Sequence, residues 1–237
     1  MLQLLKNQKG LIAIAIFIKD THSLIPWIAI IFASVKIIEK EFYLNQDVLH
    51  LATNLLGKVL LSNVGGYRSS GVIIETEAYM APEDKASHAF NNRLTKRNKT
   101  MFMEGGHAYI YICYGIHHLF NVVTAVEGIP HAVLIRALEP IEGIDHMLSR
   151  RKMKSMMHTI TKGPGSLSQA LGIKQNFDAV KLYDTKSPIQ ILNAGTNYSE
   201  SEIGISKRIG VESAGESADW PFRFYIKGNP YVSGKKM

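Results

Sequence analysis

Apolar and polar positions along the chain change rhythm several times, and each change marks an element. Between Asn45 and Leu56, the residues Val48, Leu51, Ala52, Leu55 and Leu56 recur at three- and four-residue spacing, the stripe of an amphipathic helix. Asn45 or Asp47 stands where a cap is needed, and Gly57 where the helix ends. Lys58 to Leu61 predicts a short strand and Asn63 to Gly66 a turn. Residues 71–79, Gly-Val-Ile-Ile-Glu-Thr-Glu-Ala-Tyr, read as a strand whose side chains alternate faces. Val72, Ile74, Thr76 and Ala78 then share an apolar face, while Glu75, Glu77 and Tyr79 share the other. That second face is either a solvated acidic surface or a rigid platform carrying two carboxylates.

Residues 80–106 show little periodicity and predict a long loop, with a short helix from Pro82 to His88. His107 to Ile112, Leu119 to Val126 and His131 to Leu138 then alternate as three strands of antiparallel character. Tyr114-Gly115 forms the tight turn between the first two, because glycine allows positive φ. A tyrosine there either presents a contact surface or packs back on its own sheet. Asn121 and Arg136 interrupt apolar strands, so each closes a structural network or lines a site. Ile141 to Met157 predicts a basic helix whose methionines fill the core. Lys162-Gly163-Pro164-Gly165 opens a short helix, Ser166 to Leu171, closed by Gly172. Residues from Arg208 to Lys227 supply one or two strands, and Gly228 to Met237 is expected to fray.

Residues 1–38 differ from the rest. Two apolar runs, Leu11–Ile18 and Leu24–Val35, are separated by Lys19-Asp20-Thr21-His22-Ser23, and neither reaches the roughly 18–20 residues of a spanning helix. A signal peptide fits poorly, for no small-residue cleavage pattern follows the first run. Three readings stand open: a weakly membrane-associating segment, an extension packed on the domain, or translated sequence upstream of a later start. The chain therefore divides into an apolar extension, 1–38, and one domain, 39–237.

Composition narrows the class. Hydrophobic residues make up 46% of 237 residues, enough for a sizeable core. Lys and Arg outnumber Asp and Glu by 27 to 20, a net charge of +7 that favours an anionic partner such as nucleic acid or a membrane surface. Cys113 is the one cysteine, so no internal disulfide forms. The nine histidines fall into no metal-binding pattern, His117-His118 included, and no metal or cofactor is expected. Arg93, Lys96, Arg97 and Lys99 are four cations within seven positions, set among Asn and Thr that can also bond phosphate oxygens. They form either a solvated face or a backbone-binding loop.

Taken together, Glu75-Thr76-Glu77-Ala78-Tyr79, Pro82-Glu83-Asp84, Ser87-His88, Met101-Phe102-Met103, Tyr109 to Gly115, Phe120-Asn121 and Leu134 to Pro140 follow one another in a distinctive order. Lys162 to Gly165, Arg208 to Val211 and Arg223 to Gly228 continue it. In order and spacing this resembles the alkyladenine (3-methyladenine) DNA glycosylases across roughly residues 41–233. The resemblance implies an α+β fold: a single compact domain with a curved antiparallel sheet, flanking helices and a protruding β-hairpin. It implies Glu77 as the catalytic carboxylate, with Arg136 helping to hold the catalytic water and the target phosphate region. It implies Tyr79, His88 and Tyr111 as walls of the base pocket, Tyr114 as the wedge inserted into DNA, and Asn121 as the residue that clashes with guanine's exocyclic amine. His117 and His118 depart from the bulkier aromatic or aliphatic residues that relatives often carry there, which bears on the shape around the wedge.

The residue types suit that chemistry. Acting on a base within a duplex requires extruding it, and a wedge fills the gap left behind. Electron-rich rings attract an alkylated, positively charged purine. Breaking the N-glycosidic bond builds oxocarbenium character, which a carboxylate stabilises while activating water. Strand parity does not separate Glu75 from Glu77; the resemblance alone favours Glu77. The expected activity is monofunctional excision of 3-methyladenine-type, hypoxanthine and ethenoadenine bases in base excision repair, without strand cleavage. The expected partner is double-stranded DNA carrying damaged purines, bound by a cytoplasmic, nucleoid-associated monomer with no obligate protein partner. The alternative is a non-catalytic nucleic-acid-binding domain on the same scaffold, which has no need of a buried acid behind a wedge.

Overall fold

The computed structural model describes residues 36–193 and 197–234 in full, and of residues 1–35 the backbone of three strands, β1 (Leu2–Lys6), β2 (Ile12–Phe17) and β3 (Ile28–Ile31). These pair antiparallel in the order β1-β2-β3, as a sheet of their own. Much of the two apolar runs read in this region lies outside the described residues. Among the described residues no helix is long and apolar enough to cross a membrane.

The body is an α+β domain built on a nine-stranded antiparallel sheet. In chain order its elements are β4 (Lys36–Ile37), α1 (Lys40–Tyr43), α2 (Val48–Asn54), β5 (Val59–Val64), β6 (Tyr67–Met80), β7 (Ala108–Cys113), β8 (His117–Thr124), β9 (His131–Glu142), α3 (Ile144–Arg151), α4 (Pro164–Leu171), β10 (Ile189–Asn193), β11 (Ile203–Ser206) and β12 (Arg223–Ile226). The sheet runs β4-β10-β5-β6-β9-β8-β7, and β12 joins β6 as a branch carrying β11.

β6 is the strand on which the sheet turns. Its first half, Tyr67–Val72, pairs with β5, and its second half pairs Glu75, Thr76 and Glu77 with Tyr225, Phe224 and Arg223 of β12. β9 runs beside it almost throughout, with register shifts after Ser70, after Ile73 and after Glu75. Such bulges bend a strand and re-aim its side chains. Gly71 sits at the first shift because a Cβ there would lie 2.8 Å from the Glu139 carbonyl oxygen. Thr76 faces α2, and its hydroxyl donates to the Ala52 carbonyl at 2.8 Å. The opposite face is roofed by chain from the C-terminal third. Glu75 and Glu77 are therefore both fully buried, and the solvated acidic face does not exist.

Helix ends follow the local chemistry. α2 starts at Val48, the first residue of the apolar stripe, because Asp47 rather than Asn45 takes the cap and accepts from the His50 N–H at 2.9 Å. α4 ends on Gly172 at φ 71°, as its sequence predicts. α3 stops at Arg151 rather than Met157, because Lys152 adopts φ 53° and closes the helix. Of its predicted core methionines Met147 is buried, whereas Met156 and Met157 lie beyond the helix and are exposed. Between Pro82 and His88 the chain forms turns rather than a helix, and the rest of the 80–106 loop holds two short 3₁₀ segments, Phe90–Asn92 and Lys99–Phe102. The expectation of a frayed C-terminus fails up to residue 234: Ser233 is buried and bonded to the centre of the sheet, while 235–237 lie outside the described residues.

Candidate active site

The second half of β6 carries its carboxylates into a closed ionic network. Arg136, on β9, donates from Nε to Glu75 Oε1 and from Nη1 to Glu77 Oε2, both at 3.1 Å, and from Nη2 to the Ser233 hydroxyl at 3.2 Å. Arg223, on β12, donates from Nε to Glu75 Oε1 at 2.8 Å. Ser233 adds its N–H to Glu75 Oε2 at 2.6 Å and its hydroxyl to Glu75 Oε1 at 2.8 Å. Glu77 accepts from Arg136 and, at 3.0 Å, from the Tyr79 hydroxyl on Oε2, and from the Ile209 N–H on Oε1 at 2.8 Å.

The two acids thus acquire opposite characters. Burial opposes the charge of Glu75, but two guanidiniums and the Ser233 N–H outweigh it and hold the carboxyl below its usual range. Burial dominates for Glu77 and raises its carboxyl above the usual range, against the pull of Arg136, the Ile209 N–H and Tyr79. Two carboxylates pushed apart in this way are a pattern of functional sites. Glu75 accepts from four donors, three of them on Oε1. Glu77 has both lone pairs of Oε2 engaged, while Oε1 accepts one bond, from the Ile209 N–H, and has a second lone pair open.

Beside this network lies a cavity of about 190 Å³ whose lining includes Tyr79, His88, Tyr109, Tyr111 and Asn121. The predicted walls Tyr79, His88 and Tyr111 are therefore brought together. His88 and Tyr111 meet edge to face, with ring centroids 4.5 Å apart, and Tyr109 stacks at a tilt 5.5 Å from Tyr111. Asn121 spends its amide donor on the Tyr109 and Leu119 carbonyls at 3.0 and 3.3 Å, which leaves its amide oxygen as the acceptor for a ligand. Burial holds His88 neutral, with its pKa lowered to about 4, and its Nδ1 lies 2.8 Å from the Tyr109 hydroxyl. Burial likewise pushes the Tyr111 hydroxyl up to about 12. The rings that face the cavity are thus uncharged. Glu77 itself does not line the cavity; Tyr79 stands between the two and bonds to it.

Tyr114 lies apart from the cavity, at the end of the hairpin. The Ile116 N–H donates to the Cys113 carbonyl at 3.2 Å, with Tyr114 and Gly115 at φ 50° and 74°, the signature of a type I′ turn. Tyr114 is 89% exposed and Ile116 beside it 72% exposed, so the tip is an apolar projection into solvent. His117 and His118 open β8, where the ring of His117 packs near Gly165 and His118 Nδ1 accepts from the Gln175 N–H at 3.2 Å. Arg93, Lys96 and Lys99 are exposed on the loop. Arg97 is exposed as well, but its guanidinium also lies 5.0 Å over the Tyr111 ring, bonds the Ile112 carbonyl and lines the cavity. The Arg136 guanidinium is 7% exposed and tied to two carboxylates.

Four participants escaped the sequence reading. Tyr109 shares a strand face with Tyr111, so alternation alone could have nominated it. Arg208 is fully buried, paired with both oxygens of Asp84, and lies 4.7 Å over the Tyr79 ring. Ile209 and Ser233 act through backbone or hydroxyl groups that carry no residue-type signal.

Residues 41–230 match the family model of methylpurine-DNA glycosylase. The chain belongs to this family. A relative from Chlamydia abortus is 49% identical over 188 residues, covering 79% of this chain and 96% of its own. One from Chlamydia pneumoniae is 44% identical over 206 residues, 84% and 99% of the two chains, and one from Bacillus cereus is 41% identical over 201 residues, 82% and 98%. All three carry the name "Putative 3-methyladenine DNA glycosylase".

The lowered basicity of His88 makes a measurable prediction for this family member. Its ring should titrate near pH 4 by NMR rather than near 6.5, leaving it neutral at physiological pH. A histidine harder to protonate when folded contributes stability that is present above its unfolded value and is lost as pH falls from about 6.5 through about 4. An inflection near 6.5 would place the ring in solvent instead of the cavity wall.

Proposed function

We propose that this DNA glycosylase extrudes a damaged purine from duplex DNA and hydrolyses its N-glycosidic bond. The observation that carries the reading is the juxtaposition of a buried carboxylate, Glu77, with an uncharged aromatic cavity behind an exposed tyrosine hairpin. A pure binding module gains nothing from a carboxylate whose ionisation burial disfavours. As substrates we propose alkylated and deaminated purines of the 3-methyladenine, hypoxanthine and ethenoadenine kinds.

In this reading the flipped base enters between Tyr79, His88, Tyr109 and Tyr111. A cationic alkylpurine is drawn to the neutral rings. The Asn121 amide oxygen meets the base edge, where an exocyclic amine in guanine's position collides with the side chain. Tyr114 fills the vacated stack, with Ile116 beside it, at a few kcal/mol of unstacking that a damaged base lowers. The attacking water takes the open lone pair of Glu77 Oε1. The carboxylate takes that water's proton as oxygen attacks the sugar carbon, and its charge stabilises the developing oxocarbenium. Arg136 pulls against the burial of Glu77 and favours the ionised carboxylate. Arg93, Lys96 and Lys99 supply backbone contacts whose affinity falls with salt. No lysine lines the cavity, so release of the base without strand scission is the expected outcome.

The direct test is incubation of the protein with duplexes each carrying one lesion, followed by detection of free base and of an intact abasic strand. A protein that binds these duplexes yet releases no base from any of them is a binding module. Tyr114→Ala should slow release from a paired duplex by more than it slows release from a single strand, since only the duplex has a stack to fill. Equal losses on both substrates would make Tyr114 an element of hairpin folding. We also place the catalytic unit within residues 39–237, so a chain begun at Glu39 should keep its base-releasing activity. Loss of that activity at equal concentration of folded protein would make the extension part of the working enzyme.

A further inference from the structure

Glu77 is held by two donors that belong to the protein's frame, the Arg136 guanidinium on Oε2 and the Ile209 N–H on Oε1. Both are backed by the same short piece of chain, residues 233 and 234, which lies outside the span 41–230 matched by the family model. We infer that Ser233 and Gly234 form a positioning element for the reaction: Ser233 fixes the plane of the Arg136 guanidinium, and Gly234 buttresses Ile209. The inference rests on the reading of Glu77 as the catalytic carboxylate.

The geometry of Arg136 carries it. Its bonds to Glu75 and Glu77 define a line about which a planar guanidinium can still tilt. The bond from Nη2 to Ser233 Oγ, at 3.2 Å, supplies a third point and fixes the plane. Ser233 is suited to this because a hydroxyl both accepts and donates. It accepts from Arg136 and donates to Glu75 Oε1 at 2.8 Å. Its backbone is used equally fully: the N–H goes to Glu75 Oε2 at 2.6 Å, and the carbonyl accepts from Arg223 Nη2 at 2.7 Å. The residue is 7% exposed. Gly234 follows at φ 82°, and a Cβ there would stand 2.8 Å from Ile209 Cδ1, so glycine lets the chain close onto that side chain. The segment is anchored upstream by Asn229, whose amide donates to Glu139 Oε2 of β9 at 2.8 Å. Removing the Ser233 hydroxyl leaves Glu75 with its two arginines and frees Arg136 to tilt towards it, away from Glu77.

The groups facing Glu77 define the readout. Glu75 and Tyr79 come from its own strand, Arg136 from β9, Tyr111 from β7 and the Ile209 N–H from the C-terminal segment, with Arg208 over Tyr79. Arg136 is the cation that touches Glu77. Loosening it makes the carboxylate harder to ionise, which moves the acid limb of the rate profile to higher pH.

The experiment uses the full chain with Ser233→Ala and measures single-turnover base release against pH, beside a binding isotherm for the same lesion duplex. The rate should fall by about 10-fold to 10²-fold, the scale of a misplaced catalytic group. Binding should be unchanged, the acid limb should move up, and Ser233→Thr should restore both rate and limb. An unchanged rate overturns the inference. So does a fall in rate with the acid limb unmoved, or a threonine variant as slow as the alanine one. Glu77→Gln measured in parallel separates this inference from the reading beneath it. If Glu77→Gln is slow and Ser233→Ala is not, the positioning element alone fails; if Glu77→Gln is as fast as the parent, the catalytic reading fails.

Discussion

One guanidinium organises this protein. Arg136 sits between Glu75 and Glu77 and is shared by both. Isolated charges in an interior are prohibitively costly, so acids and arginines in the sheet must arrive together or not at all. Here two carboxylates meet two guanidiniums, Arg136 and Arg223, and the set balances in charge. Breaking such a set by removing one member typically costs about 3–5 kcal/mol, because its partner is left buried and unpaired. The division of donors matters more than their number. Glu75 receives enough to stay ionised as a structural ion. Glu77 receives fewer and remains poised, with burial working against its charge.

The fold exists to bring these donors to one place. The bulges in β6 bend it away from β5 and towards β12, and the bend opens an edge on which the C-terminal third settles. Arg223, Ile209 and Ser233 reach the acids from that third, while Arg136 reaches them from β9. Asp84, four residues past the end of β6, holds Arg208 over the Tyr79 ring. The cavity wall and the carboxylate are thus braced by one continuous set of buried contacts. The β7–β8 hairpin, in contrast, projects into solvent and holds Tyr114 at positive φ, a conformation that for a non-glycine residue costs of order 1 kcal/mol or more.

What the sequence discloses about this arrangement follows a physical rule. Alternation places Glu75, Glu77 and Tyr79 on one face, and the antiparallel block with Tyr114 at its turn is readable because strand period and turn chemistry are local. The fate of the acidic face is not local. The groups that bury Glu77 and Glu75 lie 132 and 158 positions downstream in Ile209 and Ser233. Nothing in a Ser-Gly pair near a terminus distinguishes a plug from a frayed end. β10 and the two-residue β4 were equally hidden, since each is a short edge element stabilised by its neighbours rather than by its own pattern. The overlong reading of α3 has a simpler cause: Lys152 in a left-handed conformation ends the helix, and lysine gives no warning of that.

If Glu77 is the base, Glu75 is its structural counterpart. Replacing each in turn by glutamine keeps shape while removing charge, so the pair can be compared directly in single-turnover base release and in lesion-duplex binding. Glu77→Gln should release base at least ~10²-fold more slowly while binding as tightly as the parent, and Glu75→Gln should mainly lower the melting temperature. A Glu77→Gln protein that turns over at the parent rate, with the loss appearing in Glu75→Gln instead, would contradict this assignment.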